Sequence, residues 1–494
     1  MRLSLLLMAA LSASASAQDL GAFTDHADVG DVRFPGTVVY RPDAGTYTIS
    51  GSGANMWATT DEFHMVYRQM TGDFILTADM AFEGEGVDPH RKIGWIVRES
   101  LDPEAPYVDA ALHGDGLMSL QYRAAPGDST YQIVSDSSAT VVRLARRGGV
   151  YSMSVAQRGE PFTTVELTED VALGDEVLVG LFVCSHNPDV VETATFSNVR
   201  VTVPAAPDFQ PYQDYIGARL ETVDVETGQR RVVLSTSEAM QAPNWTPDGA
   251  SLIVNQDGRL YRVDVETGAM AEIPTGFATA NNNDHALSPD GSEIAISHYS
   301  DDHDGVSIIY VVPVEGGTPR QVTPRGQSYL HGWSPDGQTL IYTAERGDGN
   351  YDIWSIPTEG GEETRLTRPP GRNDGSEFSP DGAWIYFNSS RGGTMQIWRM
   401  RPDGSDPEQL TQGGTNAWFP HPSPDGRWVA YLVYEDPIDP EDHPWYENVT
   451  LRVMPADGGP SRVVAYLYGG QGTINVPSWS PDSRRLAFVS NTAF

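Results

Sequence analysis

Hydrophobic and polar positions follow two different grammars along this chain. From about residue 19 to residue 204, short stretches alternate between apolar and polar positions, and none repeats another. In the run Phe74-Ile75-Leu76-Thr77-Ala78-Asp79-Met80, every second residue counted from Phe74 is apolar. That is the pattern of a strand with one face on a core. Ile93 to Val97, Ser119 to Tyr122, Tyr151 to Ala156, Val177 to Phe182 and Thr193 to Val203 read the same way. Gly114-Asp115-Gly116, Arg147-Gly148-Gly149 and Leu173-Gly174-Asp175 supply turn chemistry between strands. No segment sustains a helical period. The pattern predicts an antiparallel β-sandwich over residues 18–204, followed by a proline-containing linker over 205–214.

Beyond the linker the grammar becomes periodic. A Pro-Asp-Gly turn recurs at Asp248, Asp290, Asp336, Asp381 and Asp425, and Pro481-Asp482-Ser483 ends the series. The spacings are 42, 46, 45, 44 and 57 residues. Periods in the forties are those of four-stranded propeller blades. Within the turn, Pro presets φ, Asp accepts from backbone N–H groups two residues on, and Gly takes a positive φ. Second hairpins follow at Arg259 to Ile273, Val306 to Val322, Tyr351 to Leu366, Met395 to Leu410 and Val449 to Val464. The sixth first hairpin, Trp479 to Val489, finds its partner only at Ala218 to Leu234. Residues 215–494 are therefore expected to form a six-bladed propeller whose last blade takes strands from both ends of the domain, leaving no open sheet edge. The fold class is all-β throughout.

The repeat carries a resemblance. Trp333-Ser334-Pro335-Asp336-Gly337, followed by a Tyr/Phe-bearing strand and by Asp352-Ile353-Trp354, resembles the TolB-like propeller repeat, also described as WD40-like or PD40. It differs from TolB itself in what precedes the propeller: TolB carries an α/β domain there, and this chain an all-β one. The resemblance therefore implies the fold and not the Tol–Pal role. The first domain resembles concanavalin- and laminin-G-like sandwiches, which implies a glycan-holding surface.

Composition narrows the picture. Arg2 precedes the apolar run Leu3 to Leu11, and Ala15-Ser16-Ala17 offers small residues for cleavage, so residues 1–17 are expected to be a signal peptide. No Cys follows the cleavage point to take a lipid, and no segment is long enough to span a bilayer. The expected location is periplasmic or secreted. Cys184 is the one cysteine, so no intrachain disulfide forms, and its apolar context predicts a buried structural thiol. The formal charge is −35, with Lys92 the single lysine. Such a surface repels nucleic acid and anionic lipid, which excludes both as partners.

Candidate chemistry concentrates where the propeller's innermost strands begin. Asn283, Asp284, His285, His331, Asn373, Asp374, Glu377 and His421 are the expected ligand-binding residues. Counted back from the turn aspartates, His285 and His331 stand at minus five and Glu377 and His421 at minus four, so all four are expected at the mouth of the central channel. Imidazoles beside a carboxylate suit a divalent metal or a general base, although no linear ligand motif names a cofactor. A second polar loop set comprises His298, Asp301, Asp302, His303, Glu345, Arg346, Asp348, Asn388 and Arg391. The insertion Tyr434 to Asn448, which produces the 57-residue spacing, is a candidate lid. In the sandwich, Trp57, Trp95, Arg98, His113 and Tyr122 offer sugar-stacking chemistry, with core packing of both tryptophans as the plainer expectation.

Two functions follow. One is a binding platform for a glycan or protein outside the cytoplasm. The other is a carbohydrate-active enzyme, a lyase or hydrolase, with a His/acid site at the mouth; oligogalacturonate lyases resemble this propeller and carry His and a metal at the channel. Arg325, Arg346, Arg372 and Arg391 are the cations available to an acidic sugar. No Gly-x-Ser-x-Gly elbow, P-loop, dinucleotide fingerprint or Cys-x-x-Cys pair occurs.

Overall fold

The computed structural model describes residues 18–135, 138–211 and 213–494. The expected signal peptide lies outside them. Two seven-stranded antiparallel sheets form the first domain. One runs Asp25–Val29, Phe63–Met70, Val177–Cys184, Lys92–Arg98, Tyr107–His113, Met118–Arg123 and Thr130–Ser135 in spatial order. The other runs Thr163–Glu166, Val150–Ala156, Val141–Arg147, Phe74–Glu83, Glu192–Thr202, Thr46–Gly51 and Thr37–Arg41. Phe74, Leu76, Ala78 and Met80 all enter the core between the sheets, as the alternation predicts, and Trp95 packs there too. Cys184 is fully buried, and burial pushes its thiol up to about 11.

Trp57 departs from the expectation. It is 38% exposed, on a loop outside the sheets, with the Lys92 ammonium 5.9 Å from its ring centroid. Arg98 is not at the surface either. Arg98 and Arg123, both fully buried, converge on Asp61 at 3.0 and 2.7 Å. These buried ion pairs tie the Arg98 and Arg123 strands to the loop that carries Asp61.

Five antiparallel sheets of four strands and a sixth of three form the propeller. In the repeat turn, Asp336 accepts from Ser334 Oγ at 2.5 Å and from Gln338 N at 3.1 Å, and Gly337 takes a φ of 71°. In the last sheet, Ala218–Asp224 lies between Arg230–Thr236 and Arg485–Asn491. This is the closure from both ends that the repeat count requires. Its innermost strand is reduced to one bridge, Trp479 to Leu486, because Pro477 and the Gly470–Gly472 turn interrupt the ladder.

The two domains are bonded side by side. Glu221, fully buried, accepts from Arg230 at 2.6 and 3.1 Å within the propeller and from Arg200 of the sandwich at 3.1 Å. Arg143 grips Glu435 with two bonds of 2.8 and 2.9 Å. Backbone joins too: Val463 N donates to Gly159 O at 2.8 Å and Ala493 N to Val203 O at 2.8 Å.

A polar cavity at the propeller mouth

Every complete innermost strand carries a β-bulge at the same level. The register slips between Gln241 and Asn244, Asn281 and His285, Leu330 and Gly332, Asp374 and Glu377, and Trp418 and His421. In three blades the residue six before the turn aspartate is left-handed: Ala242 at 56°, Gly375 at 61° and Phe419 at 55°. A Cβ at Gly375 would meet Asn388 Oδ1 at 2.4 Å, so glycine is required there. The extra residue redirects the side chains on either side of it.

In five of the six blades the position seven before the turn aspartate faces the mouth: Gln241, Asn283, Tyr329, Asp374 and Asn475 line a cavity of about 690 Å³, and Trp418 of the remaining blade does not. Asp284 and His331 line it as well. His285, Asn373, Glu377 and His421 do not, which corrects the expectation that the four acid and imidazole groups meet at the channel. They join blades instead. His285 Nε2–H donates to Ile253 O at 3.3 Å across to the neighbouring blade, and burial lowers its imidazole to about 4. Asn373 bonds Asp352 at 2.8 Å and Arg391 at 2.6 Å. His421 Nδ1 lies 2.6 Å from Glu377 Oε2, and its Nε2–H donates to Ile474 O. Burial raises the Glu377 carboxyl despite the bond to His421.

Of the three histidines expected at the channel, His331 alone lines the cavity. Its Nε2 lies 2.9 Å from Asp374 Oδ1. Asp374 also accepts from Thr343 Oγ1 at 2.8 Å, from Gly375 N at 2.9 Å, and from Arg372 at 2.8 and 3.0 Å. Burial alone would raise this carboxyl, but Arg372 and His331 outweigh it and hold it well below the usual range. Burial alone would lower His331, but the bond to Asp374 and the charges of Asp374 and Asp284 outweigh that and raise it. The Arg372 guanidinium lies 4.6 Å from the Tyr351 ring centroid.

Asp284 is the contrast. It is 6% exposed, and Asn282 Nδ2 donates to its Oδ2 at 3.1 Å. Burial pushes its carboxyl up to about 6, opposed by His331 and assisted by Asp374. A carboxyl raised in the fold favours the folded state while protonated, and that advantage is lost as pH rises through about 6. Asp284→Asn should therefore stabilise the protein at pH 7.5 by about 1–3 kcal/mol and by roughly half as much at pH 5, as read by urea denaturation at both values.

The insertion does cover the mouth. Asp442, His443 and Trp445 line the cavity, and the His443 ring packs 4.7 Å from Trp418 and 5.5 Å from Phe419. Burial, then Arg372, lowers His443 to about 4. Tyr434 OH donates to Pro444 O at 2.9 Å, and Arg372 donates to Glu441 O at 3.3 Å. Tyr446 leaves the cavity and joins Tyr468, Phe209, Ile75 and Ala145 between the domains. None of the second polar loop set borders the cavity. Arg346 and Arg325 both pair with Glu363, and His298 packs between Phe277 and Tyr310. Of the four candidate arginines, Arg372 alone lines the mouth. Among the described residues, no group of three or more His, Cys, Asp or Glu is arranged to hold a metal ion.

Sequence reasoning missed Tyr215, Gln241, Asn255, Gln256, Tyr299 and Tyr351, which also line the cavity. Counting seven back from each turn aspartate finds Gln241. Tyr215, from the linker, carries no such signal.

The architecture defines a six-bladed propeller of Pro-Asp-Gly repeats with a polar mouth. A family model described as "TolB beta propeller domain" matches residues 214–347 and 331–438. A protein of Agrobacterium fabrum, titled uncharacterized protein Atu1656, is 48% identical over 271 residues, spanning 55% of this chain and 91% of that protein. A solved structure titled putative TolB from Agrobacterium tumefaciens is 46% identical with a TM-score of 0.54, covering 57% of this chain and all of that one. TolB from Acinetobacter baumannii is 21% identical with a TM-score of 0.41, over 52% of this chain and 65% of that one. The chain belongs to the TolB-like β-propeller family. No helix among the described residues is long and apolar enough to cross a membrane.

Proposed function

We propose that this protein is an exported binding platform whose ligand, a saccharide, enters the propeller mouth. One observation carries the reading: the cavity wall combines Tyr299, Tyr329, Tyr351 and Trp445 with Gln241, Asn281, Asn282, Asn283, Gln471 and Asn475. Aromatic faces stack on the apolar faces of pyranose rings, and carboxamides offer a donor and an acceptor side by side for neighbouring hydroxyls. Asn281 Oδ1 and Asn283 Nδ2 are buried without a protein partner, so hydrogen-bonding capacity remains for a ligand. The leader-like pattern of residues 1–17 supports export.

Calorimetric titration against a panel of neutral, acidic and amino oligosaccharides and of short peptides tests this. At least one oligosaccharide should bind at one site, and Tyr329→Ala should weaken it at least tenfold. A panel in which only peptides bind, or binding untouched by Tyr329→Ala, would overturn the reading. Secreted or periplasmic protein should begin near Gln18 on N-terminal sequencing.

A second reading, turnover of the bound saccharide, draws on Asp284 and Asp374, whose environments push them in opposite directions on either side of His331. Product release from the bound oligosaccharide that ceases in His331→Gln would support it; unchanged ligand after prolonged incubation would exclude it.

A further inference from the structure

The charges of the mouth do not balance. Glu238, Asp257, Asp284, Asp374 and Asp442 line it, against the single guanidinium of Arg372. Arg372 is already committed to Asp374 through two nitrogens and stacks on Tyr351, so it has little left for an acidic ligand. Asp374 receives five hydrogen bonds, two of them from a guanidinium, whereas Asp284, buried almost as deeply, is bonded by the neutral carboxamides of Asn282 and Asn475. A buried carboxylate without a countercharge is held at a cost that a cation removes. Asn281 and Asn283, each with a buried unpartnered polar atom, precede it on the same strand and line the same cavity.

From this geometry we infer that the ligand is a cationic saccharide, one bearing an unacetylated primary amine that docks as an ammonium on Asp284. The inference rests on the saccharide reading above and names its chemical class. A uronate would place its carboxylate among uncompensated acids. A neutral sugar would bring Asp284 no countercharge. An amino sugar satisfies Asp284 through the ammonium, the amides through its hydroxyls and the tyrosines through its ring faces. The groups facing Asp284 are His331, Asp374, Asn282, Asn475 and Tyr329. His331 is itself raised, and its positive charge is already spent on Asp374.

The test is titration of the full chain at pH 7 and moderate salt with three trimers of equal length and linkage: β-1,4-linked glucosamine, N-acetylglucosamine and glucose. Trilysine serves as the control for attraction to the acidic surface. The glucosamine trimer should bind at least tenfold more tightly than the other two sugars. Asp284→Asn should remove that preference. At pH 5 the preference should shrink, because Asp284 then carries its own proton. Equal or tighter binding of the glucose or acetylated trimer would overturn the amine assignment and leave the saccharide reading intact. Binding of trilysine as tightly as glucosamine, or a preference that survives Asp284→Asn, would assign the effect to surface charge and overturn it. No binding of any trimer would overturn it as well, and the wider panel then decides the saccharide reading separately.

Discussion

Glu221→Ala should lower stability by roughly 3–5 kcal/mol, as expected when one partner of a buried ion-pair cluster is removed. Glu221 is fully buried and joins Arg200 of the sandwich to Arg230 and Ser490 of the propeller's last blade. Without it, two guanidinium groups lie at the domain interface without their anion. Arg230 would keep its bond to Tyr466 O at 2.7 Å, which cannot neutralise charge. The pH dependence has a definite sign. Burial would raise this carboxyl, but Arg200 and Arg230 outweigh it and set it far below the ordinary 4.5. A depressed carboxyl contributes stability above its unfolded value and loses it as pH falls through the folded one. Wild-type stability should therefore decline below about pH 4.5, and the variant should decline less steeply there. Urea denaturation from pH 3 to 7 measures both effects. An unchanged midpoint at neutral pH would refute the role given to this residue.

The second large effect belongs to Asp374→Ala. It strips Arg372 of both bonds and removes the partner of His331, Thr343 and Gly375 N. The expected cost is again about 3–5 kcal/mol, together with loss of ligand binding. Asp374→Asn keeps the shape and much of the bonding, so it should fold well enough for a sharper test. With the Asp374 charge gone, burial and Arg372 dominate His331, and its imidazole should titrate below 6.5 in place of above it. Nuclear magnetic resonance of the ring protons reads this directly. In the wild type, a raised His331 contributes stability that is present below its unfolded value and is lost as pH rises through its folded value. That dependence on the alkaline side should vanish in Asp374→Asn.

The fold was legible because it rests on repetition. Six Pro-Asp-Gly or Pro-Asp-Ser turns and the orphan hairpin at Ala218 to Leu234 fix blade number and closure by counting alone. The candidate site was legible only in part. Asn283, Asp284, His331 and Asp374 do meet at the mouth, since the entry segments were correctly placed. His285, Glu377 and His421 were misassigned because counting back from the turn aspartate takes no account of the bulge between it and the mouth. One inserted residue exchanges the channel-facing and blade-facing positions. Phe419 in a left-handed conformation gives no warning of this in the sequence, whereas Gly375 does. The tyrosines were missed for another reason. Tyr299 and Tyr351 stand at the ends of second and third strands, outside the entry segments, and only blade folding and the packing of adjacent blades bring them beside Tyr329.

Closure from both ends also sets a timetable. Ala218–Asp224 leaves the ribosome some 270 residues before its partner Arg485–Asn491. At about 5–20 residues per second, that interval is roughly 15–55 seconds. Throughout it the early strand has one free edge, and the five complete blades have no seam to lock. A nascent chain of this kind has its greatest exposure to pairing with a neighbour just before Arg485–Asn491 emerges, so crowded synthesis should favour dimers that exchange that strand.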